Sequence, residues 1–159
     1  MRMRTFREWL IGILCIVAPF VAGMVGGFFT APNIASWYDL LVKPSWTPPP
    51  WVFGPVWTTL YLLMGIAAFL VWRKEKPGRV FAIALFFVHL VVNALWSVVF
   101  FGLRAPLYAM AVIVLLLGLI IWLMYLFAPQ SRAAAWLLAP YLLWVLYAST
   151  LNLGIVLLN

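Results

Sequence analysis

The sequence is short of charge and nearly devoid of the residues that build hydrolytic or metal centres. Its acids are Glu8, Asp39 and Glu75, its one histidine is His89 and its one cysteine is Cys15. A single cysteine excludes an intrachain disulfide and a thiolate metal cluster, and leaves the redox compartment open. Three acids scattered over the chain offer no paired carboxylates for general acid–base work. His89 has no charged neighbour on its helical stripe, so it is expected to pack through a hydrogen bond rather than to ligate haem iron, and no metal site is expected. Charged residues make up 8% of the chain and hydrophobic ones 68%, where soluble domains carry roughly a quarter and a half. A soluble fold could not cover that much apolar surface.

What is abundant is long apolar sequence. Charge-free runs extend over 9–29, 51–72, 80–103, 105–127 and 133–158. Each is long enough to cross a hydrocarbon core that needs about 20 residues of helix. Backbone groups in lipid must be satisfied within the segment or in a closed barrel, and these runs lack the alternation of barrel strands. The expectation is an all-α integral membrane protein, a five-transmembrane-helix bundle forming one domain over 1–159. Arg2, Arg4 and Arg7 precede the first run. The run is too long for a signal-peptide core and lacks a small-residue cleavage site, so it is expected to be a retained helix.

The net charge of +7 does not indicate a nucleic-acid partner, because the basic residues sit at the ends of the runs rather than in one patch. With five spans, Arg2, Arg4, Arg7, Arg73, Lys74, Lys76, Arg79 and Arg132 share one side, and only Lys43 and Arg104 lie on the other. In a bacterial cell membrane this bias predicts a cytoplasmic N-terminus. The one long connection, 30–50, contains Pro32, Pro44, Pro48, Pro49 and Pro50. It is expected to be a stiff, extended lid over the outer mouth of the bundle. The other connections are short, which implies antiparallel neighbours.

Tryptophan is the other surplus, with ten residues. Trp9, Trp46, Trp51, Trp72 and Trp136 lie at or near run ends, where interfacial belts form, and Trp122 lies one turn inside its run. Trp57, Trp96 and Trp144 lie deeper, and an indole N–H needs a partner away from water. Helical spacing puts His89, Asn93, Trp96 and Phe100 on one stripe, Tyr141, Trp144, Ala148 and Asn152 on a second, and Trp57, Tyr61, Gly65 and Ala68 on a third. Intramembrane polar residues face the bundle interior, where Asn93 and Asn152 either glue helices together or line a cavity. Their convergence with Trp and Tyr favours a cavity. Asp39, beside Trp37 and Tyr38, is either a solvated loop charge or a ligand contact. Gly23 and Gly27 form a small-xxx-small pair that permits close helix approach.

The segment WYDLLVKPSWTPPPWVFGPVWTTLYLLMG, Trp37 to Gly65, resembles the signature of the tryptophan-rich sensory protein and peripheral-type benzodiazepine receptor family, also called TspO or translocator proteins. NALWSVVFFG (93–102) and PYLLWVLYASTLN (140–152) agree with it. The resemblance implies a homodimer of five-helix bundles that binds porphyrins such as protoporphyrin IX, and in the family lipids, sterols and isoquinoline carboxamides, with no resident cofactor. It carries ligand contacts onto Trp37, Tyr38, Asp39, Trp57, Tyr61, Asn93, Trp96, Trp144, Tyr147 and Ala148. One departure weakens the sterol expectation: no basic residue follows Arg132, and a sterol motif at Tyr147 would need one.

Three functions follow from the resemblance. The first is a receptor or sensor that binds tetrapyrroles. The second is a light-dependent enzyme degrading protoporphyrin IX, with Trp57 and Trp144 as photo-oxidation participants. The third is a porphyrin or lipid transporter, which ranks last because no inverted repeat is visible.

Overall fold

The computed structural model describes residues 6–159, the Arg7 side chain excepted, so Arg2 and Arg4 of the orientation argument lie outside the described residues. Five helical spans cross the molecule: α1 (Phe6–Ile34), α2 (Phe53–Trp72), α3 (Arg79–Ser97), α4 (Pro106–Phe127), and a broken fifth made of α5 (Arg132–Leu137) and α6 (Ala139–Leu158). All five are long and apolar enough to span a bilayer. The chain is an all-α integral membrane protein.

Three boundaries differ from the expected ones. The first helix runs past Phe29 to Ile34 although it contains Pro19 and Pro32. Proline removes one ladder bond and leaves the rest, and Thr30 and Asn33 turn their side chains back onto the carbonyls of Gly26 and Phe29. The lid is therefore shorter than 30–50. It is also not wholly extended, since Tyr38–Leu40 and Pro50–Val52 form 3₁₀ turns. The third span ends in a π-helical segment, Val98–Gly102, closed by Leu103 N donating to the Val98 carbonyl at 2.8 Å. The fifth span breaks at Leu138, two residues before Pro140, whose missing N–H cannot continue the α5 ladder.

Packing follows the glycines. α1 and α2 run antiparallel, and a Cβ at Gly65 would stand 2.8 Å from the Ile16 Cα, while one at Gly12 would stand 2.7 Å from the Phe69 ring. Pro19 frees the carbonyl of Cys15, and Gly65 lets α2 close over that spot. α4 packs on α3 and α6, whereas α2 contacts α5 at one end and barely meets α6 at the other. That divergence leaves volume between the helices at the lid end. At the opposite end Gln130 Nε2 donates to the Pro77 carbonyl at 2.8 Å, and Lys76 Nζ donates to the Pro129 carbonyl at 2.7 Å. Those bonds join the two basic turns.

The belt positions are on the outside. Trp51 and Trp136 are each 74% exposed, Trp9, Trp46 and Trp122 are also exposed, and Trp72 lies under the Arg79 guanidinium at 4.4 Å.

Candidate functional site: an aromatic cavity under the lid

The divergence of the helices leaves a cavity of about 700 Å³. All five spans and the lid contribute to its wall. From α2 come Trp57 and Tyr61, with ring centroids 5.2 Å apart. From α3 come Asn93 and Trp96, and from α6 come Trp144 and Ala148. The lid supplies Tyr38 and Asp39. Eight of the ten residues singled out from the sequence thus share one cavity.

Trp37 and Tyr147 do not line it. Trp37 packs edge-on against Phe100 and Phe101, at 5.7 and 6.4 Å between centroids. The Tyr147 hydroxyl donates to the Trp46 carbonyl at 2.6 Å. Both residues fasten the lid to the bundle instead.

The deep end of each expected stripe is packing, with His89, Tyr141, Gly65 and Ala68 all buried. Gly65 is pressed on α1 and Ala68 is buried in the core. His89 is fully buried beneath Asn93, with Nδ1 donating to the Phe86 carbonyl at 2.7 Å and its ring 5.6 Å from that of Tyr141. Asn93 Nδ2 donates to the Tyr141 hydroxyl at 2.9 Å, so this asparagine ties α3 to α6 and also reaches the cavity wall. Asn152 likewise does both: it accepts from the Trp96 indole at 3.1 Å and donates to the Pro106 carbonyl at 2.9 Å. Glue and cavity lining turn out to be the same side chains.

This bonding separates the three deep indoles. The Trp96 N–H is occupied by Asn152, and its ring stacks on Phe100 at 5.0 Å and 25°. Trp96 therefore presents a flat apolar face. The N–H groups of Trp57 and Trp144 have no acceptor among the described residues. Phe53 meets Trp144 edge-on at 5.8 Å and fixes its ring.

Among the described residues, the roof holds the only charges of the wall. Lys43 Nζ lies 3.8 Å from Asp39 Oδ1, 3.3 Å from the Asp39 carbonyl and 4.8 Å from the Tyr38 ring centre. With Asp39 more than half exposed, this pair contributes little stability. Burial, and then the neighbouring Asp39 carboxylate, raise the Tyr38 phenol above its ordinary pKa, so it stays neutral. Among the described residues no group of three His, Cys, Asp or Glu could hold a metal ion.

Several wall residues were not singled out from the sequence. Phe53, Lys43 and Ser97 could have been suggested by their proximity to residues that were, and Phe101 enters because the π segment brings it beside Phe100 at 4.8 Å. Ile113 and Leu116 of α4 carry no sequence signal that separates them from lipid-facing neighbours. Gly23 does permit close approach, but of the Tyr61 ring within the same chain, so it is not free to serve a dimer contact.

A family model described as the TspO/MBR family matches residues 15–158. The chain is 45% identical to the tryptophan-rich protein TspO of Chlorobaculum tepidum over 92% of its own length and 94% of that protein. It is 41% identical to the protein of the same name from Archaeoglobus fulgidus, covering 92% and 95%. With the translocator protein of Homo sapiens it shares 38% identity over 91% of this chain and 87% of that one.

Proposed function

We propose, since the chain belongs to the TspO/MBR family, that it is a membrane receptor which binds a porphyrin, protoporphyrin IX or a related tetrapyrrole, in the cavity under the lid. The observation that carries this reading is the pair of unoccupied indole donors, Trp57 and Trp144, in a mostly apolar cavity of about 700 Å³. Small-molecule sites are of this kind, roughly 300–1,000 Å³ and mostly apolar, with a few convergent polar groups. A flat macrocycle would stack against Trp96 and Trp57 and receive hydrogen bonds from the two free N–H groups. Lys43 and Tyr38 in the roof would meet its polar edge. A relative from Cereibacter sphaeroides carries the name tryptophan-rich sensory protein, which accords with a sensory role.

A second reading is favoured by one arrangement. Trp57 lies 5.2 Å from Tyr61 and 6.3 Å from Tyr141 between ring centres, a run of oxidisable rings beside the ligand space. Under light, an excited bound porphyrin would take one electron from Trp57 and pass it to dioxygen, and the superoxide so formed would oxidise the pigment. Trp57 and Trp144 would then be participants in the photo-oxidation. Location in a bacterial cell membrane with a cytoplasmic N-terminus, and a homodimeric assembly, complete the proposal.

The test is a titration with protoporphyrin IX in detergent, in the dark and under illumination, read by Trp fluorescence and porphyrin absorption. Saturable quenching with a stable spectrum supports the receptor. Light-dependent bleaching to a defined product supports the enzyme, and absence of saturable binding removes both.

A further inference from the structure

The antiparallel register of α1 and α2 makes their seam traceable residue by residue. Gly12 faces Phe69, Ile16 faces Gly65, and Phe20 faces Tyr61 at 5.9 Å between ring centres. Seven residues, two helical turns, further along each helix return to the same faces and set Gly27 opposite Gly54. Up to Tyr61 the seam is closed: a Cβ at Gly12 or Gly65 would clash, and one at Gly23 would enter the Tyr61 ring. At Gly27 and Gly54 a Cβ would meet nothing within 4 Å. Both glycines are exposed, and both line the cavity. The two helices have parted there, and neither residue has a side chain to fill the gap.

The roof is fastened in four places. Asn159 accepts from the Val42 N–H and donates to the Val42 carbonyl, both at 3.0 Å. Pro44 is buried on Gly154, Tyr147 holds the Trp46 carbonyl, and Trp37 is wedged against Phe100 and Phe101. Opening from above would break several of these contacts together. Passage through the seam breaks none of them.

We infer that the cavity exchanges its ligand sideways with the bilayer, through a window between α1 and α2 framed by Gly27 and Gly54. Gly54 lies in the first turn of α2, three residues from the 74% exposed belt residue Trp51. The window thus opens just beneath the headgroups of the lid-side leaflet. That level suits a flat, membrane-dissolved amphiphile, whose apolar body enters between the glycines while its polar edge stays near Lys43 and Asp39. The identity of that amphiphile as a porphyrin rests on the reading above, whereas the window itself rests on the seam.

The test labels a cavity cysteine and needs no porphyrin. In a Cys15→Ala background, Ala148→Cys is reacted in liposomes with a pyrenyl maleimide dissolved in the bilayer, and separately with a charged, water-soluble thiol reagent. The apolar reagent is expected to label faster, and Gly27→Leu and Gly54→Leu, each placed where space is open, should slow it about tenfold or more by raising the passage barrier. Asn159→Ala, which loosens the roof, should leave the rate unchanged. Equal rates in the glycine variants, faster labelling in Asn159→Ala, or preference for the charged reagent would overturn the window. With protoporphyrin IX, the glycine variants should slow association and dissociation together, because a narrowed gate raises the barrier in both directions. A protein that labels as expected yet takes up no porphyrin keeps the window and loses the proposed ligand.

Discussion

Trp96 and Asn152 face each other across α3 and α6, the indole N–H donating to Asn152 Oδ1 at 3.1 Å while the same amide donates to the Pro106 carbonyl at 2.9 Å. One amide thus joins three helices and turns an indole from a donor into a stacking surface. Replacing Asn152 by Leu keeps the volume but strands the part-buried Trp96 N–H and takes the side-chain donor away from the Pro106 carbonyl. The expected loss is about 1–3 kcal/mol, at the low end if lipid-exposed unfolded states find other partners. Thermal unfolding in a single detergent measures it.

Trp144→Phe and Trp57→Phe should each weaken porphyrin binding by about 1–2 kcal/mol, since each removes a free donor and some stacking area while most of the packing remains. Trp136→Phe, at a 74% exposed belt position, should leave affinity nearly unchanged. Fluorescence titration of the three variants side by side decides the matter. Equal losses in all three would point to a general effect on the bundle.

Gly65→Val should separate α1 from α2, because its Cβ would stand 2.8 Å from the Ile16 backbone, which cannot rotate away. Overpacking of this kind costs roughly 1–3 kcal/mol. Gly118→Ala meets nothing within 4 Å on α4 and should be neutral or stabilising by about 0.5–1 kcal/mol, through its helix propensity. Melting temperatures of the two variants should move in opposite directions or by clearly different amounts.

Tyr147→Phe removes one bond that holds the lid, the 2.6 Å contact to the Trp46 carbonyl. Loss of a single such bond is worth about 1 kcal/mol. Amide exchange in the lid should therefore quicken roughly fivefold while exchange in α3 and α4 stays as it was, the behaviour of a local opening. Mass-detected hydrogen exchange in nanodiscs resolves the two regions. Equal acceleration in the helices would mean that Tyr147 supports the whole bundle.

Much was already decided along the chain. Five charge-free runs of bilayer length can satisfy their backbones in lipid only as helices, so the number of spans, their order and their all-α class follow from local composition. Helical periodicity also names the correct faces, since Trp57, Asn93, Trp96, Trp144 and Ala148 all turn toward one cavity. Periodicity does not say where along a stripe two helices touch and where they part. Tyr61 lines the cavity and Gly65, one turn on, is sealed against Ile16, because the distance between helix axes depends on what the neighbouring helix presents at that level. For the same reason Trp37 and Tyr147, with the right chemistry for a ligand, were taken up by Phe100, Phe101 and the Trp46 carbonyl. The continuation of α1 to Ile34 and the π turn at Val98–Gly102 were likewise decided by contacts and bonds that no window of sequence contains. Local chemistry determined which elements form and which way they face; only the packing of five helices decided how far apart they stand, and so where the cavity and its window lie.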